Sequence, residues 1–293
     1  MRAAKIIFVI LAIAVLVVGF FFIKTELARR TEIAWDQSVA EEYGQIIAID
    51  DLTNAQQSNN MDGSLSGDSA EEQPGGDPEM NGLLPAFPLW AIDLEALQEK
   101  NSDAIGWIWM PDTEINYPVV QGYNNSYYLT HRFDDSYSSE GAIYADYRCD
   151  LDGKNVILYG HNTSSGKFDS LNKYLTQGKS YWDEHPYFIY YSDDCPAGAI
   201  YDIFSVFKAD VSTTAKQQAL YVLPTDDTYA AYIDKLLGRS NFDTGVEIDY
   251  NGRMLMLSTC CYSGNKRCIV CASKRCTVPE YISYWRTWLE EGE

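Results

Sequence analysis

Residues 6–23 read IIFVILAIAVLVVGFFFI, eighteen apolar positions without a charge. As a helix rising about 1.5 Å per residue, such a run covers roughly 27 Å, about the hydrocarbon thickness of a bilayer. It exceeds a secretory h-region, and ELARR follows it where a small-residue cleavage site would stand. The pattern predicts an uncleaved signal-anchor within residues 1–30, a single membrane-spanning helix. Basic residues flank the run on both sides, so charge does not choose the orientation. The short N-terminal tail is expected to stay inside, leaving the rest of the chain outside.

The pattern then changes. Trp35, Val39, Tyr43, Ile46 and Ile47 recur at helical spacing after Thr31, a candidate N-cap, and predict a juxtamembrane helix. Residues 51–86 are dominated by Asp, Glu, Asn, Ser, Gly and Pro and bury too little apolar surface to order themselves. Residues 31–86 are therefore expected to form this helix and an acidic flexible linker. A folded domain is expected over residues 87–293, opening with a short amphipathic helix in WAIDLEALQEKN.

Within it, short runs rich in β-branched and aromatic residues recur between Gly, Pro, Asn and Asp. They are GWIWM (106–110), NYPVVQ (116–121), GAIYAD (141–146), NVILYG (155–160), YFIYYS (187–192), IYDIFSVFKA (200–209), RMLMLST (253–259) and CIVCAS (268–273). Residues 226–240 carry one clear helical stripe, and a terminal helix is expected after Pro279. Eight strands with few helices predict a mainly β domain, a closed barrel or a sandwich.

Composition sharpens this picture at two points. The 22 tyrosines and 7 tryptophans suit aromatic-rich strands. The net charge of −20 argues against a nucleic-acid partner, because a polyanion would be repelled. Twelve acidic residues and no basic ones fall in residues 31–80, so much of that charge belongs to the helix and linker.

Candidate chemistry gathers in MLMLSTCCYSGNKRCIVCASKRC, residues 254–276, which holds five of the seven cysteines. A structural zinc site normally draws on two C-x-x-C pairs or one pair with nearby histidines. Only Cys268 and Cys271 have that spacing, inside an expected strand, so no metal site is assigned. Disulfides are compatible with an extracellular compartment, but seven is odd and adjacent Cys260 and Cys261 do not readily bond each other. The third reading is a nucleophile. Cys260 ends an apolar strand, where a thiol is both fixed and accessible. Arg267 opens the next strand, and a hairpin would bring guanidinium and thiol to one sheet end. Of the three histidines, His161 follows NVILYG at another strand exit, whereas His131 and His185 lie in turn-like contexts.

ILYGHN followed by KFDSLNKY resembles the histidine motif of the sortases, cell-wall transpeptidases of Gram-positive bacteria. LSTC and KRCIVCASK resemble their TLxTC motif and the arginine that opens the following strand, with Met256 where the first Thr usually stands. IGWIWMPDTEINYPVVQG, NNSYYLTHRF and GAIYADYR resemble class B members, and the resemblance covers residues 90–275. It implies an eight-stranded sortase β-barrel with peripheral helices, preceded here by the membrane helix.

It further implies that Cys260 attacks the carbonyl after a Thr in a C-terminal sorting signal. His161 would be the acid and base, and Arg267 the oxyanion donor, with Arg275 the other candidate arginine. Asn125, Leu129 and Ser258 match positions lining the class B substrate groove. The implied partners are surface proteins bearing a sorting motif and a peptidoglycan amine, with no cofactor, at the outer face of the cell membrane. Two alternatives stay open: a pilin-polymerising enzyme that uses a pilin lysine, and a non-catalytic surface-binding domain whose cysteines hold zinc or form bridges.

Overall fold

The computed structural model describes residues 2–46, 90–261 and 264–282; side chains are described for 17–44, 92–261 and 264–282. The chain opens with one long helix, α1 (Arg2–Tyr43), followed by β1 (Gly44–Ile46). The run expected to span a membrane lies mostly in residues whose side chains are outside the description. Among the described residues no helix is long and apolar enough to cross a membrane. Most of the acidic segment and residues 283–293 of the expected terminal helix also lie outside the described residues.

After β2 (Trp90–Ile92) and α2 (Leu94–Lys100) come β3 (Ala104–Trp109), β4 (Asn116–Val120), β5 (Ile143–Ala145) and β6 (Asn155–Tyr159). A small hairpin, β7 (Asn162–Thr163) and β8 (Gly166–Lys167), leads into α3 (Leu171–Thr176) and α4 (Lys179–Glu184). Then follow β9 (Tyr187–Ser192), β10 (Cys195–Asp210), α5 (Thr214–Leu220), α6 (Asp226–Leu237), β11 (Met254–Cys260) and β12 (Lys266–Thr277). Eight strands close a barrel in the order β10-β12-β11-β6-β5-β4-β3-β9. They are the eight runs picked out by pattern. Closure pairs every strand on both sides and removes exposed edges.

The strands alternate between two cores. In β9, Phe188 and Tyr190 point into the barrel, whereas Tyr187, Ile189 and Tyr191 join an outer cluster with Trp107, Val120 and Tyr144. That outer face needs a cover, because a strand shows successive side chains to opposite sides. The C-terminal part of α1 supplies it: Val39, Ala40 and Tyr43 are buried there, and the Tyr43 ring meets Phe133 edge-on at 6.0 Å. The expected amphipathic stripe through Trp35, Val39 and Tyr43 is thus the docking face of a helix on the barrel. β1 pairs antiparallel with β2, with Gly44 opposite Ile92 and Ile46 opposite Trp90.

Candidate active site

Strand register decides what meets at the barrel rim. β6 and β11 run parallel, with Tyr159 beside Ser258, and the Gly160 N–H donates to the Ser258 carbonyl at 3.3 Å. His161 therefore leaves its strand next to the end of β11, where Cys260 lies. β12 returns antiparallel to β11 and sets Arg267 opposite Cys260. The three side chains line one groove of about 400 Å³, together with Asn125, Leu129 and Ser258.

Local contacts fix each group. Gly160 permits the exit of His161 because a Cβ there would lie 2.5 Å from Ile143 Cδ1 and 2.7 Å from the Phe168 ring. The imidazole Nε2 is 2.9 Å from the Leu129 carbonyl. A carbonyl only accepts, so Nε2 carries the proton and Nδ1 is left for exchange in the groove. The Cys260 carbonyl accepts from two side-chain amides, Asn162 Nδ2 at 3.0 Å and Asn172 Nδ2 at 3.1 Å. Arg267 donates from Nη1 to the Lys266 carbonyl at 3.1 Å and has no carboxylate partner among the described residues. Arg275 is different: its guanidinium is bound to Asp202, with Nε 2.6 Å from Oδ2, and it does not line the groove. Of these two arginines, only Arg267 lines the groove.

The cysteines separate in the same way. All seven are free thiols, and Cys260 is part-exposed at the groove. Burial pushes the thiols of Cys149 and Cys195 up to about 11 and that of Cys276 up to about 12. It also raises those of Cys261, Cys268 and Cys271. Cys268 and Cys271, the C-x-x-C pair, are packed in the barrel core, where Cys268 Sγ donates to the Leu171 carbonyl. No group of His, Cys, Asp or Glu among the described residues could hold a metal ion.

The groove floor holds residues that sequence reasoning did not single out. Asp146 is fully buried and accepts from Arg148 Nε at 2.9 Å, Arg148 Nη2 at 2.7 Å and the Tyr159 hydroxyl at 2.9 Å. Burial pushes its carboxyl up, but the Arg148 guanidinium and N–H, with Tyr159, outweigh this and hold it below the ordinary value. The Tyr159 ring lies 5.4 Å from both Tyr144 and Tyr221. Tyr221 and Ser258 share a hydrogen bond of 2.9 Å, so Ser258, 2% exposed, reaches the groove mainly by supporting Tyr221. Asn125 Oδ1 accepts from the Tyr147 N–H at 2.9 Å, which braces the same floor. Sequence marked Asn125 and Ser258 but not Asp146, Arg148, Tyr159 or Tyr221 as parts of one cluster, because these come from separate strands and loops.

The sequence is 34% identical to a sortase B of Listeria monocytogenes over 171 residues, 57% of this chain and 67% of that protein. It is 32% identical to a sortase B of Staphylococcus aureus over 186 residues, 61% and 73% of the two chains. The chain belongs to the class B sortases. It is a cysteine transpeptidase of that type. Solved sortases agree in fold. Clostridium perfringens sortase B superposes with a TM-score of 0.56 at 27% identity, covering 61% of this chain and 98% of that one. A Staphylococcus aureus sortase B–substrate complex gives 0.55 at 30% identity, covering 62% and 83%. No protein-family model matches the sequence. In this sortase, all six positions marked by the motifs line one groove, whereas Arg275 lies outside it.

Proposed function

We propose that this sortase cleaves a C-terminal sorting signal after Thr and joins the released carboxyl end to a peptidoglycan amine. The Cys260 thiolate attacks the scissile carbonyl and forms a C–S bond, while Arg267 N–H groups hold the developing oxyanion. The C–N bond then breaks, and His161 gives its proton to the leaving amine. An incoming amine attacks the thioester, the C–S bond breaks, His161 takes the amine proton, and the thiolate is restored. What carries this reading is the pairing of Cys260 with Arg267 across β11 and β12, beside the parallel exit of His161 from β6.

Substrate binding by Asn125, Leu129 and Ser258 belongs to the same reading. It is supported by their place in the groove and by the substrate held by the Staphylococcus aureus relative. Anchoring by the N-terminal helix is supported by its apolar run and by the outward-facing Val18, Phe20, Phe21, Phe22 and Ile23. Residues 1–30 are read as the anchor, with the catalytic unit outside the cell. Confinement of enzyme and anchored substrate to one surface raises their effective concentration.

The test is to incubate the full chain in detergent with a panel of fluorogenic sorting peptides and trap the acyl-enzyme by mass spectrometry. A thioester on the peptide containing Cys260, absent in Cys260→Ala, is the expected result. Undiminished cleavage by Cys260→Ala would overturn the assignment.

A further inference from the structure

The N-terminal helix touches the domain through charge as well as through apolar packing, and both ionic contacts lead to His161. Asp36 on α1 accepts from Lys167 Nζ at 2.6 and 2.9 Å, and both side chains are buried. Lys167 lies on β8 directly opposite Asn162, the residue after His161, and the neighbouring Phe168 N–H donates to the His161 carbonyl at 2.9 Å. The Lys167 backbone is left-handed, with φ of 56°, a conformation that a non-glycine residue keeps only when its surroundings hold it. Its N–H donates to the Tyr117 hydroxyl at 2.9 Å, and its ammonium sits 4.7 Å from the Tyr117 ring centre. Asn162, across the hairpin, donates to the Cys260 carbonyl.

The second contact reaches the other side of the imidazole. Glu32, one turn before Asp36, takes a two-pronged ion pair from Arg132 and accepts from the Ser138 hydroxyl. Trp35 stacks under the same guanidinium at 5.0 Å. Arg132 lies three residues after Leu129, whose carbonyl holds His161 Nε2. One helix thus braces both the hairpin that carries the His161 backbone and the loop that carries its hydrogen-bond acceptor.

We propose that Asp36 and Glu32 are positioning residues for transpeptidation, α1 acting through Lys167 and Arg132 to hold the His161 imidazole in its catalytic orientation. The inference rests on the reading of His161 as acid and base. It makes residues 31–46 part of the catalytic unit, and a chain cut after them would leave the Lys167 ammonium buried without its counter-charge.

The experiment uses the full chain in detergent micelles. The protein has three histidines, so ring-labelled histidine gives three carbon signals, assigned by single His→Gln changes. Asp36→Ala is expected to lower kcat at least fivefold with KM changed less than twofold. It should move the His161 signal and leave that of His185, and Asp36→Glu should recover most of the turnover. Glu32→Gln, at the less buried pair, should act in the same direction and decides the matter if Asp36→Ala does not fold. Folded variants with an unmoved His161 signal, or with kcat within twofold of the parent, would overturn the inference. His161→Ala separates the two readings. Full turnover in that variant removes the catalytic role of the ring, whereas loss of turnover there with a normal Asp36→Ala protein removes the role of α1 alone.

Discussion

Cys260 and Arg267 stand opposite each other at the last paired position of β11 and β12, with the Cys261 N–H closing the turn onto the Lys266 carbonyl at 3.0 Å. Backbone register therefore sets the two residues side by side at the rim of the groove that both line.

Arg267→Lys is expected to lower kcat/KM at least 100-fold, since the ammonium keeps the charge but loses the planar fork of donors. Arg275→Ala should behave in the opposite way. It leaves the part-buried Asp202 without its partner and costs about 2 kcal/mol of stability, with kcat/KM of the folded fraction little changed. Steady-state kinetics beside chemical denaturation of the two variants checks both halves.

Alkylation should single out one sulfur. Burial holds the other six thiols up, so limiting iodoacetamide at neutral pH is expected to label Cys260 first and to remove activity in proportion. Cys261→Ala should keep most of the turnover and the same labelling pattern. Peptide mapping reads the site directly, and early labelling of Cys261 would contradict the geometry.

Gly160→Ala places a methyl group into Ile143 and the Phe168 ring. Overpacking of this kind costs about 1–3 kcal/mol. Because His161 is the next residue, turnover should fall more than stability does. Comparing kcat with the unfolding midpoint of the variant tests this, and equal, small effects would mean that the exit of β6 relaxes freely.

Asp146 makes stability depend on acid pH. Its carboxyl lies below the ordinary value in the folded protein, so its contribution is complete above the unfolded-state value of about 4 and is lost as pH falls through the lower folded value. Asp146→Asn should destabilise the protein at neutral pH and flatten that acid limb. Urea midpoints measured from pH 6 downward for both proteins provide the check. Tyr221→Phe, which leaves Ser258 Oγ without its partner, should cost about 1 kcal/mol with no such pH dependence.

Much of this molecule can be read along the chain. Short runs rich in β-branched and aromatic residues, bounded by turn residues, marked all eight barrel strands, because strand propensity and turn chemistry are local. The helix Asp226–Leu237 was legible for the same reason, from its stripe of Tyr229, Tyr232, Ile233 and Leu236. His161, Cys260 and Arg267, which line one groove, could be marked as candidates because each lies at or near a strand end inside a motif. The short helices α3, α4 and α5 were not legible, since six or seven residues make fewer than two full turns of pattern; α2, equally short, was legible from the apolar and charged pattern of WAIDLEALQEKN.

Tertiary structure alone decided the rest. No local pattern tells that Tyr187, Ile189 and Tyr191 need a cover, or that α1 provides it. Asp36 and Lys167 are separated by 131 residues, and Arg275 resembles Arg267 in sequence until Asp202 is found bound to it. Sequence determines which side chains an element can present. Which of them meet, and which charge is left free to work, depends on closing the barrel, and that register is set by pairings far apart along the chain.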